Sequence, residues 1–437
     1  MRLLPMKQSY RIIPTYTADI SGVCSALYEL GGMTVMHDPS GCNSTYNTHD
    51  EIRWYDMDSL IFISGLTEMD AIMGNDDRLI HDIEAAVNEL HPKFIALASS
   101  PIPYMNGTDF EAIAQIIEAD TGICTFFIPT NGMHDYVHGA GMALAKIARH
   151  FTDAHISWDG QNKRTVNLLG VTPLDFGPID GVQKMTALLE SYGWQVISTW
   201  AMGDHLETLS QAGSAAVNLV VSSVGLEAAK VLYERFGTPY VIGTPVDLHL
   251  FEHIQKTDSS VTLNQNFKNQ NLSDKSENHY MHLLSEAMEA AVWKRLQHNQ
   301  HNQHHQYNQH HQPLQPVVLY LQNRIDAPTD ITLIGEPVIM GSLAKAIELQ
   351  YGQSVRVLCP LQIEDSLLCN DGLLCDKDTT LIGEEAMEAA LLNAKIIVAD
   401  PLYKPICPKK CQFYELPHIA FSGRIYLKDI RKLITEI

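Results

Sequence analysis

The sequence predicts an α/β protein made of three tandem Rossmann-like domains with mostly parallel sheets. Short apolar runs alternate with segments of helical periodicity along most of the chain, a pattern typical of parallel strands joined by helices. The length of 437 residues is more than one hydrophobic core ordinarily supports. A hydrophobic content of 45% supplies apolar surface for several cores.

The apolar runs divide into three blocks, and each block predicts one domain. The first domain, residues 1–160, has predicted strands at 33–37, 60–65, 94–99 and 124–129, with helices at 78–90 and 110–119. The second, residues 161–255, has strands at 166–171, 194–199, 217–222 and 239–243, with helices at 179–192 and 225–236. The third, residues 326–437, has strands at 331–337, 354–360, 395–400 and 416–423.

Residues 256–325 separate the second and third domains. They contain a predicted helix at 280–296 and the tract QHNQHNQHHQYNQHHQ, which has no apolar period. Such a composition buries too little surface to fold, so we expect a disordered surface insertion. Metal buffering by its histidines is an alternative.

Composition excludes some classes of partner. The 51 acidic and 30 basic side chains give a formal charge of −21, which opposes binding to nucleic acid. No run of about 18 apolar residues predicts a membrane span, and the N-terminal segment lacks the apolar stretch of a signal peptide. We therefore expect a cytoplasmic protein, in which the eight cysteines serve as thiols or metal ligands.

Two cysteines near the N-terminus are the leading candidates for metal ligands. Cys24 is predicted to begin one helix, and Cys42 follows the turn Asp38-Pro39-Ser40-Gly41 and is predicted to open another. A helix N-terminus favours the thiolate, the form that binds metal. Taken alone, the two thiols are better explained as small buried packing residues, the commonest role of a cysteine in a core.

Five segments in order resemble nitrogenase component 1 type oxidoreductases. They are HDPSGCNS with the upstream Cys24, LIFISGLTEMDAIMG, PKFIALASSPIPYMNGTD, VNLVVSSVGLEAAKVLYERFGTPYV and ELPHIAFSGRIY. The resemblance implies an iron-sulfur cluster between subunits, held here by Cys24 and Cys42. It also implies a subunit of a dimer or heterotetramer, and electrons delivered by an ATP-hydrolysing iron-sulfur reductase resembling an Fe protein.

The sequence departs from the family pattern at two places. Pro101 stands where the family usually has a third cluster cysteine, so a [4Fe-4S] cluster needing about four ligands would be shared between two subunits of a homodimer or heterodimer. Ser222 stands where true nitrogenases anchor their active-site metal cofactor, and His418 adjoins the position of the second anchor. We therefore expect that this chain alone does not reduce dinitrogen.

The remaining cysteines leave a second metal site open. Cys369 with Cys375 and Cys407 with Cys411 form loop pairs that could hold a zinc ion or a second cluster, but their spacings match no tight metal-binding motif, so such a site is the less favoured interpretation. Cys124 and Cys359 are predicted to pack in core strands.

Several side chains are candidate proton donors for a reduction. They are His37, Asp38, Glu68, Asp70 and His418. The alternatives are that Asp38 caps a turn, that Glu68 favours a helix start, and that His418 lies in a strand with a backbone partner. The predicted function is a reductase component for an unidentified substrate; a scaffold for metallocluster assembly and a cluster-free α/β binding protein are the competing classes.

Overall fold

The computed structural model describes residues 10–39, 41, 50–246, 278–304, 317–318, 324–362, 375 and 377–430. The predicted fold class is confirmed: three separate sheets follow one another along the chain, and every pairing between their strands is parallel. None of the helices in these ranges has both the length and the hydropathy needed to cross a membrane. The boundaries proposed between domains remain predictions.

The first α/β unit, Asp19–Phe151, contains a four-stranded sheet of order β2-β1-β3-β4. Its central strands β1 and β3 are buried on both faces, as parallel strands covered by helices are. The elements are α1 (Asp19–Leu27), β1 (Met33–His37), β2 (Ile61–Ile63), α2 (Glu68–Met73), α3 (Asp76–Leu90), β3 (Ile95–Ser99), α4 (Pro101–Asn106), α5 (Phe110–Thr121), β4 (Thr125–Ile128) and α6 (Tyr136–Phe151).

The second α/β unit, Thr165–Val318, has a five-stranded sheet of order β6-β5-β7-β8-β9. Its elements are β5 (Thr165–Leu169), α7 (Pro173–Phe176), α8 (Asp180–Ser191), β6 (Gln195–Trp200), α9 (Leu206–Leu209), β7 (Val217–Val220), α10 (Leu226–Phe236), β8 (Tyr240–Ile242), α11 (His279–His304) and β9 (Val317–Val318). Two 3₁₀ turns, Ser210–Ser214 and Ser223–Gly225, lie on either side of β7.

The third α/β unit begins at Ile331 and has a five-stranded sheet of order β12-β11-β10-β13-β14. Its elements are β10 (Ile331–Ile334), α12 (Pro337–Tyr351), β11 (Val355–Cys359), β12 (Thr379–Thr380), α13 (Glu384–Leu391), β13 (Ile396–Ala399), β14 (Gln412–Glu415) and α14 (Ile419–Ser422). The 3₁₀ turns Pro401–Ile406 and Gly423–Asp429 follow β13 and α14.

Two predictions about local structure are wrong. Residues 416–423 are not a strand: the last strand is the preceding β14, and the apolar run after it forms the short helix α14. The His/Asn/Gln-rich tract is not wholly unfolded either, because α11 continues into it as far as His304. Extending a helix whose earlier turns pack against β7, β8 and α12 costs less than starting one in such a sequence.

Helices α1 and α6 of the first unit cross with their backbones in contact. A Cβ atom added at Gly22 would lie 2.1 Å from the carbonyl oxygen of Tyr136, and one at Gly139 would lie 1.9 Å from that of Asp19. Real Cβ atoms are never so close to backbone atoms, so both positions require glycine. The two glycines let the helix backbones touch.

We expect Gly139→Ala to lower the free energy of unfolding by about 1–3 kcal/mol, because the new methyl group forces the two helices apart. Gly141→Ala, in the same helix as Gly139, is the matched control. A Cβ atom added at Gly141 would lie no closer than 3.6 Å to an atom of a neighbouring element. Urea denaturation followed by circular dichroism measures both variants. Equal stabilities of the two variants would contradict the close crossing of α1 and α6.

Candidate functional site

The carboxyl ends of the parallel strands bring the candidate residues together. In each sheet the chain reverses its direction of winding at one point: between β1 and β3, between β5 and β7, and between β10 and β13. A crevice forms outside the strand ends at such a switch point, and ligands of α/β proteins bind there. His37 ends β1, Ser222 and Asp175 follow β7 and β5, and Glu336 follows β10.

His37 and Asp38 lie together at the switch point of the first sheet. The hydroxyl of Ser64 is 2.8 Å from Nδ1 of His37 and accepts a hydrogen bond from the backbone N–H of Asp38 at 3.1 Å. Burial lowers the pKa of His37, and the nearby carboxylates, with Asp76 foremost, oppose this lowering in part. This imidazole is therefore suited to remain neutral at pH 7 and to exchange a proton.

Glu68 and Asp70 serve the short helix α2. Glu68 is its first residue, and Asp70 forms a capping box with Thr67. The hydrogen bond from the Thr67 hydroxyl lowers the pKa of Asp70, whose carboxylate also pairs with Arg78 at 2.7 Å. The position of Glu68 agrees with the structural alternative for that residue, and the contacts of Asp70 give it a structural role too; a role in proton transfer remains a prediction for both.

Cys24 does not begin a helix, and that prediction is wrong. It is the sixth residue of α1, its side chain is 1% exposed, and its sulfur lies 3.6 Å from that of Met36. Ile20 and the half-buried Ile61 and Ile63 pack around the same spot. Burial raises the pKa of the Cys24 thiol to about 12, so this environment favours the thiol over the thiolate.

The described residues do not form a ligand set for a metal. Among residues 10–39, 41, 50–246 and the later described ranges, no group of three or more His, Cys, Asp or Glu side chains is placed to hold an ion. Cys42 lies outside the described residues. Because the Cys24 sulfur is enclosed beside Met36, binding of an iron atom by Cys24 would require α1 or Met36 to move.

The segment at the end of β3 carries Ser99, Ser100 and Pro101 where the family pattern has its third cysteine. Pro101 is the first residue of α4 and offers no ligand atom. Ser99 is tied to Thr130 through its backbone N–H at 2.9 Å. The buried hydroxyl of Ser100 has no hydrogen-bond partner among the described residues.

The described cysteines of the third unit have different hydrogen-bond partners. The thiol of Cys407 donates to the carbonyl oxygen of Tyr403 at 3.3 Å, while the thiol of Cys375 donates to Asp378 at 3.1 Å. Cys369 lies outside the described residues. Cys359 is buried at the end of β11 as predicted, but Cys124 precedes β4 and is half-buried.

A second cluster of polar side chains is buried where all three units meet. The Tyr136 hydroxyl, at the start of α6, donates to Asp175 Oδ1 at 2.5 Å. The Ser222 hydroxyl donates to Asp175 Oδ2 at 2.6 Å. Nε2 of His418 lies 3.3 Å from Asp175 Oδ1. Ser222 stands at the position matched to a cofactor-anchoring cysteine. Its hydroxyl group is engaged in a hydrogen bond to another residue of the same chain.

Glu336 extends this cluster from the third unit. Its Oε1 accepts hydrogen bonds from the backbone N–H and the hydroxyl of Ser223, at 2.8 and 2.5 Å, and its Oε2 caps α12 through the N–H of Ile339. Burial, followed by repulsion from Asp175, raises the pKa of Glu336 to about 7. The carboxyl group therefore binds and releases a proton near neutral pH.

His418 belongs to this cluster and not to a strand, which corrects the structural alternative for this residue. It immediately precedes α14, and its backbone N–H donates to Asp400 at 2.7 Å. Its ring stacks on Phe421 at 4.4 Å, and neither ring nitrogen has a hydrogen bond of good geometry within the described structure. The structure therefore separates His418 from His37, which lies at the first sheet.

Sequence reasoning missed Asp175, Glu336 and Tyr136. A signal existed for the two carboxylates: TPLD and GEPV each place an acidic residue within two positions of a proline, shortly after an apolar strand. That pattern marks a helix start at the carboxyl edge of a sheet. Burial of the carboxylates, which gives them their chemistry, leaves no trace in the local sequence.

The sequence is similar to one protein family and to curated proteins of two descriptions. The sequence model of the family described as nitrogenase component 1 type oxidoreductase matches residues 22–278. Nitrogenase iron-molybdenum cofactor biosynthesis protein NifE of Klebsiella pneumoniae is 24% identical over 224 residues, which are 48% of this chain and 48% of the relative. A subunit of light-independent protochlorophyllide reductase from Zygnema circumcarinatum is 24% identical over 182 residues, 40% of this chain and 36% of the relative.

The matched regions therefore span about half the length, or less, of these curated relatives. A solved structure described as nitrogenase Cp1 at pH 5 shares the fold more fully, with a TM-score of 0.58 and coverage of 99% of this chain and 88% of that chain. Its sequence identity is 15%, so this likeness establishes the fold alone.

We expect Cys24 to resist alkylation in iron-free folded protein. With a pKa of about 12, only about one thiol in ten thousand is ionised at pH 8, and its side chain is enclosed. Mass spectrometry after iodoacetamide treatment should find Cys24 modified at least about tenfold more slowly than the partly exposed Cys411. Equal rates for the two thiols would show that the pocket around Cys24 is open.

Proposed function

Because the chain belongs to the nitrogenase component 1 type oxidoreductase family, we propose that it is the subunit of a dimeric reductase. In this proposal an iron-sulfur cluster at the subunit interface, predicted to be [4Fe-4S], accepts electrons from an ATP-hydrolysing reductase. The observation that carries the proposal is the family match over residues 22–278, which includes Cys24 and Cys42. The stoichiometry of the purified complex decides whether the partner is a second copy or a related chain.

The proposed substrate is an unsaturated or otherwise stable organic or tetrapyrrole-like molecule, and not dinitrogen. Relatives described as light-independent protochlorophyllide reductase support this class of substrate. The hydroxyl of Ser222 is directed to Asp175, so no thiolate stands where a nitrogenase cofactor would be anchored. His37 is the residue that we propose to deliver protons, since its imidazole is buried beside Ser64 with a lowered pKa.

A second candidate is a scaffold on which a metallocluster is assembled and then transferred. Relatives described as iron-molybdenum cofactor biosynthesis protein favour it. The two candidates share the cluster and the dimer but differ in turnover: a reductase consumes electrons from its ATP-hydrolysing partner with substrate, whereas a scaffold releases a cluster to an acceptor protein.

Anaerobic purification with iron and sulfide analysis tests the cluster. We expect about four irons per dimer, which Cys42→Ala abolishes because it removes a thiolate ligand. Cys124→Ala is the control, since Cys124 belongs to no proposed ligand set and is half-buried before β4. Colourless, iron-free wild-type protein would refute the cluster and leave the α/β binding protein as the remaining class.

Cys24→Ala decides how many thiolates each subunit contributes. Loss of iron in this variant would support the pair Cys24 and Cys42, and would require Cys24 to leave the pocket beside Met36. Full iron content in Cys24→Ala together with loss in Cys42→Ala would assign a single thiolate to each subunit. Circular dichroism of both variants checks that the fold is retained.

Electron delivery separates the reductase from the scaffold. Purified dimer carrying its cluster is mixed with an ATP-hydrolysing iron-sulfur reductase, ATP and dithionite, and oxidation of the reductase is followed by its visible spectrum. We expect ATP-dependent electron transfer to the dimer, and none with the iron-free Cys42→Ala variant. Transfer of iron to an acceptor without any such electron transfer would favour the scaffold.

A further inference from the structure

The buried cluster at the junction of the three units contains carboxyl groups that no cation neutralises. Asp175 is bonded by Tyr136 and Ser222, with His418 alongside, and Glu336 is bonded by Ser223 and Ile339. Among the described residues, no lysine or arginine pairs with either carboxylate. Two like charges buried together without a cation are costly, so the structure calls for a proton.

The hydrogen bonds show where that proton can reside. Asp175 receives O–H donors on both oxygens, from Tyr136 and Ser222. Glu336 accepts two backbone N–H groups and one hydroxyl, but it is fully buried and faces the charge of Asp175. The group that gains most from protonation is therefore Glu336.

The groups that surround Glu336 come from every element packed against it. They are Asp175 of α7, Asp135 and Tyr136 at the start of α6, Cys359 of β11, and His418 before α14, with Asp400 behind His418. Acidic groups outnumber the single imidazole among them. The three hydrogen-bond donors favour a negative charge at Glu336, whereas its burial and the neighbouring Asp175 disfavour it more strongly.

The same residues also join the units. Tyr136 belongs to the first unit, Asp175 and Ser223 to the second, and Glu336 and His418 to the third. Asp175 connects the first unit with the second, and Glu336 connects the third with the second. A change of charge at this place consequently acts on the packing between all three units.

We propose that Glu336 and Asp175 form a proton-binding site that couples the packing of the three α/β units to pH. With the proton bound, one net charge is buried and the junction is stable. With the proton released, two facing carboxylates repel each other and the junction loosens.

The sign of the pH dependence follows from the raised pKa of Glu336, about 7 in the folded chain against about 4.5 when unfolded. Between these two values the folded chain holds a proton that the unfolded chain has released. Stability from this group is therefore full below about pH 4.5, falls as pH rises to about 7, and is lost above it. One proton changes the folding equilibrium by about tenfold per pH unit.

Glu336→Gln tests the site, because the amide resembles the protonated carboxyl. Urea unfolding is measured between pH 5 and 8 on wild-type and variant chains. We expect the folding equilibrium constant of the wild type, relative to Glu336→Gln, to fall about tenfold per pH unit up to about pH 7 and then to level off. A wild-type to variant ratio that is constant over this range would overturn the proposal.

Glu348→Gln is the matched control, since Glu348 is a buried glutamate that does have cations, with Arg324 and Lys377 each at 2.8 Å. Hydrogen bonds from these cations help lower the pKa of Glu348 despite its burial. The contribution of Glu348 to folding stability is present above the pKa that its carboxyl group has in the unfolded chain. This contribution is lost only in more acidic solution. This variant should be destabilised by a constant amount between pH 5 and 8.

A spectroscopic measurement keeps the proposal testable if Glu336→Gln fails to fold. Infrared difference spectra of wild-type protein between pH 5 and 8 should show a carboxylic acid C=O band that disappears with a midpoint near pH 7. In Asp175→Asn the midpoint should move to lower pH, because the repelling charge is gone. Absence of the band in wild type, or an unchanged midpoint in Asp175→Asn, would refute the shared site.

Discussion

Three buried carboxylates connect the three α/β units in a closed ring, and the relative placement of everything else depends on them. Asp135 of the first unit accepts the backbone N–H of Gln362 in the third at 2.7 Å. Glu336 of the third accepts the N–H of Ser223 in the second at 2.8 Å, and Asp175 of the second accepts the hydroxyl of Tyr136 in the first at 2.5 Å. Each unit thus gives a carboxylate to one neighbour and a donor to the other. Since strand ends leave backbone groups that must find partners, the ring satisfies them while it fixes the geometry.

The ring divides the molecule into two chemically different regions. The inner junction contains many hydrogen bonds among protein groups, and burial raises the pKa of Asp135 as it does that of Glu336. The first unit differs in that α2 and α4, which follow β2 and β3, carry exposed apolar side chains, among them Met69, Ile72 and Met105. The inner junction therefore joins the units, whereas this part of the first unit presents an apolar surface.

Sequence patterns predicted the regular parts of this fold because apolar runs of four to six residues have few alternatives in a parallel sheet. The same rule failed at residues 416–423, where the run is apolar because it is buried and not because it is extended. Cys24 was misplaced because the sequence does not mark where α1 begins: Ala18, not a Ser, Thr or Asn, is its N-cap. Asp175 and Glu336 escaped prediction since their partners lie 39 to 113 residues away along the chain.

The glycine crossing between α1 and α6 has a consequence for how the protein can respond to a partner. With backbone against backbone, α1 has no side-chain layer that could deform, so it can neither roll nor slide without carrying α6 along. Helix α6 in turn carries Asp135 and Tyr136, two members of the ring. A force applied at the first sheet, such as the docking of another protein, is therefore transmitted as a rigid displacement to the junction, and the two ends of the molecule move together.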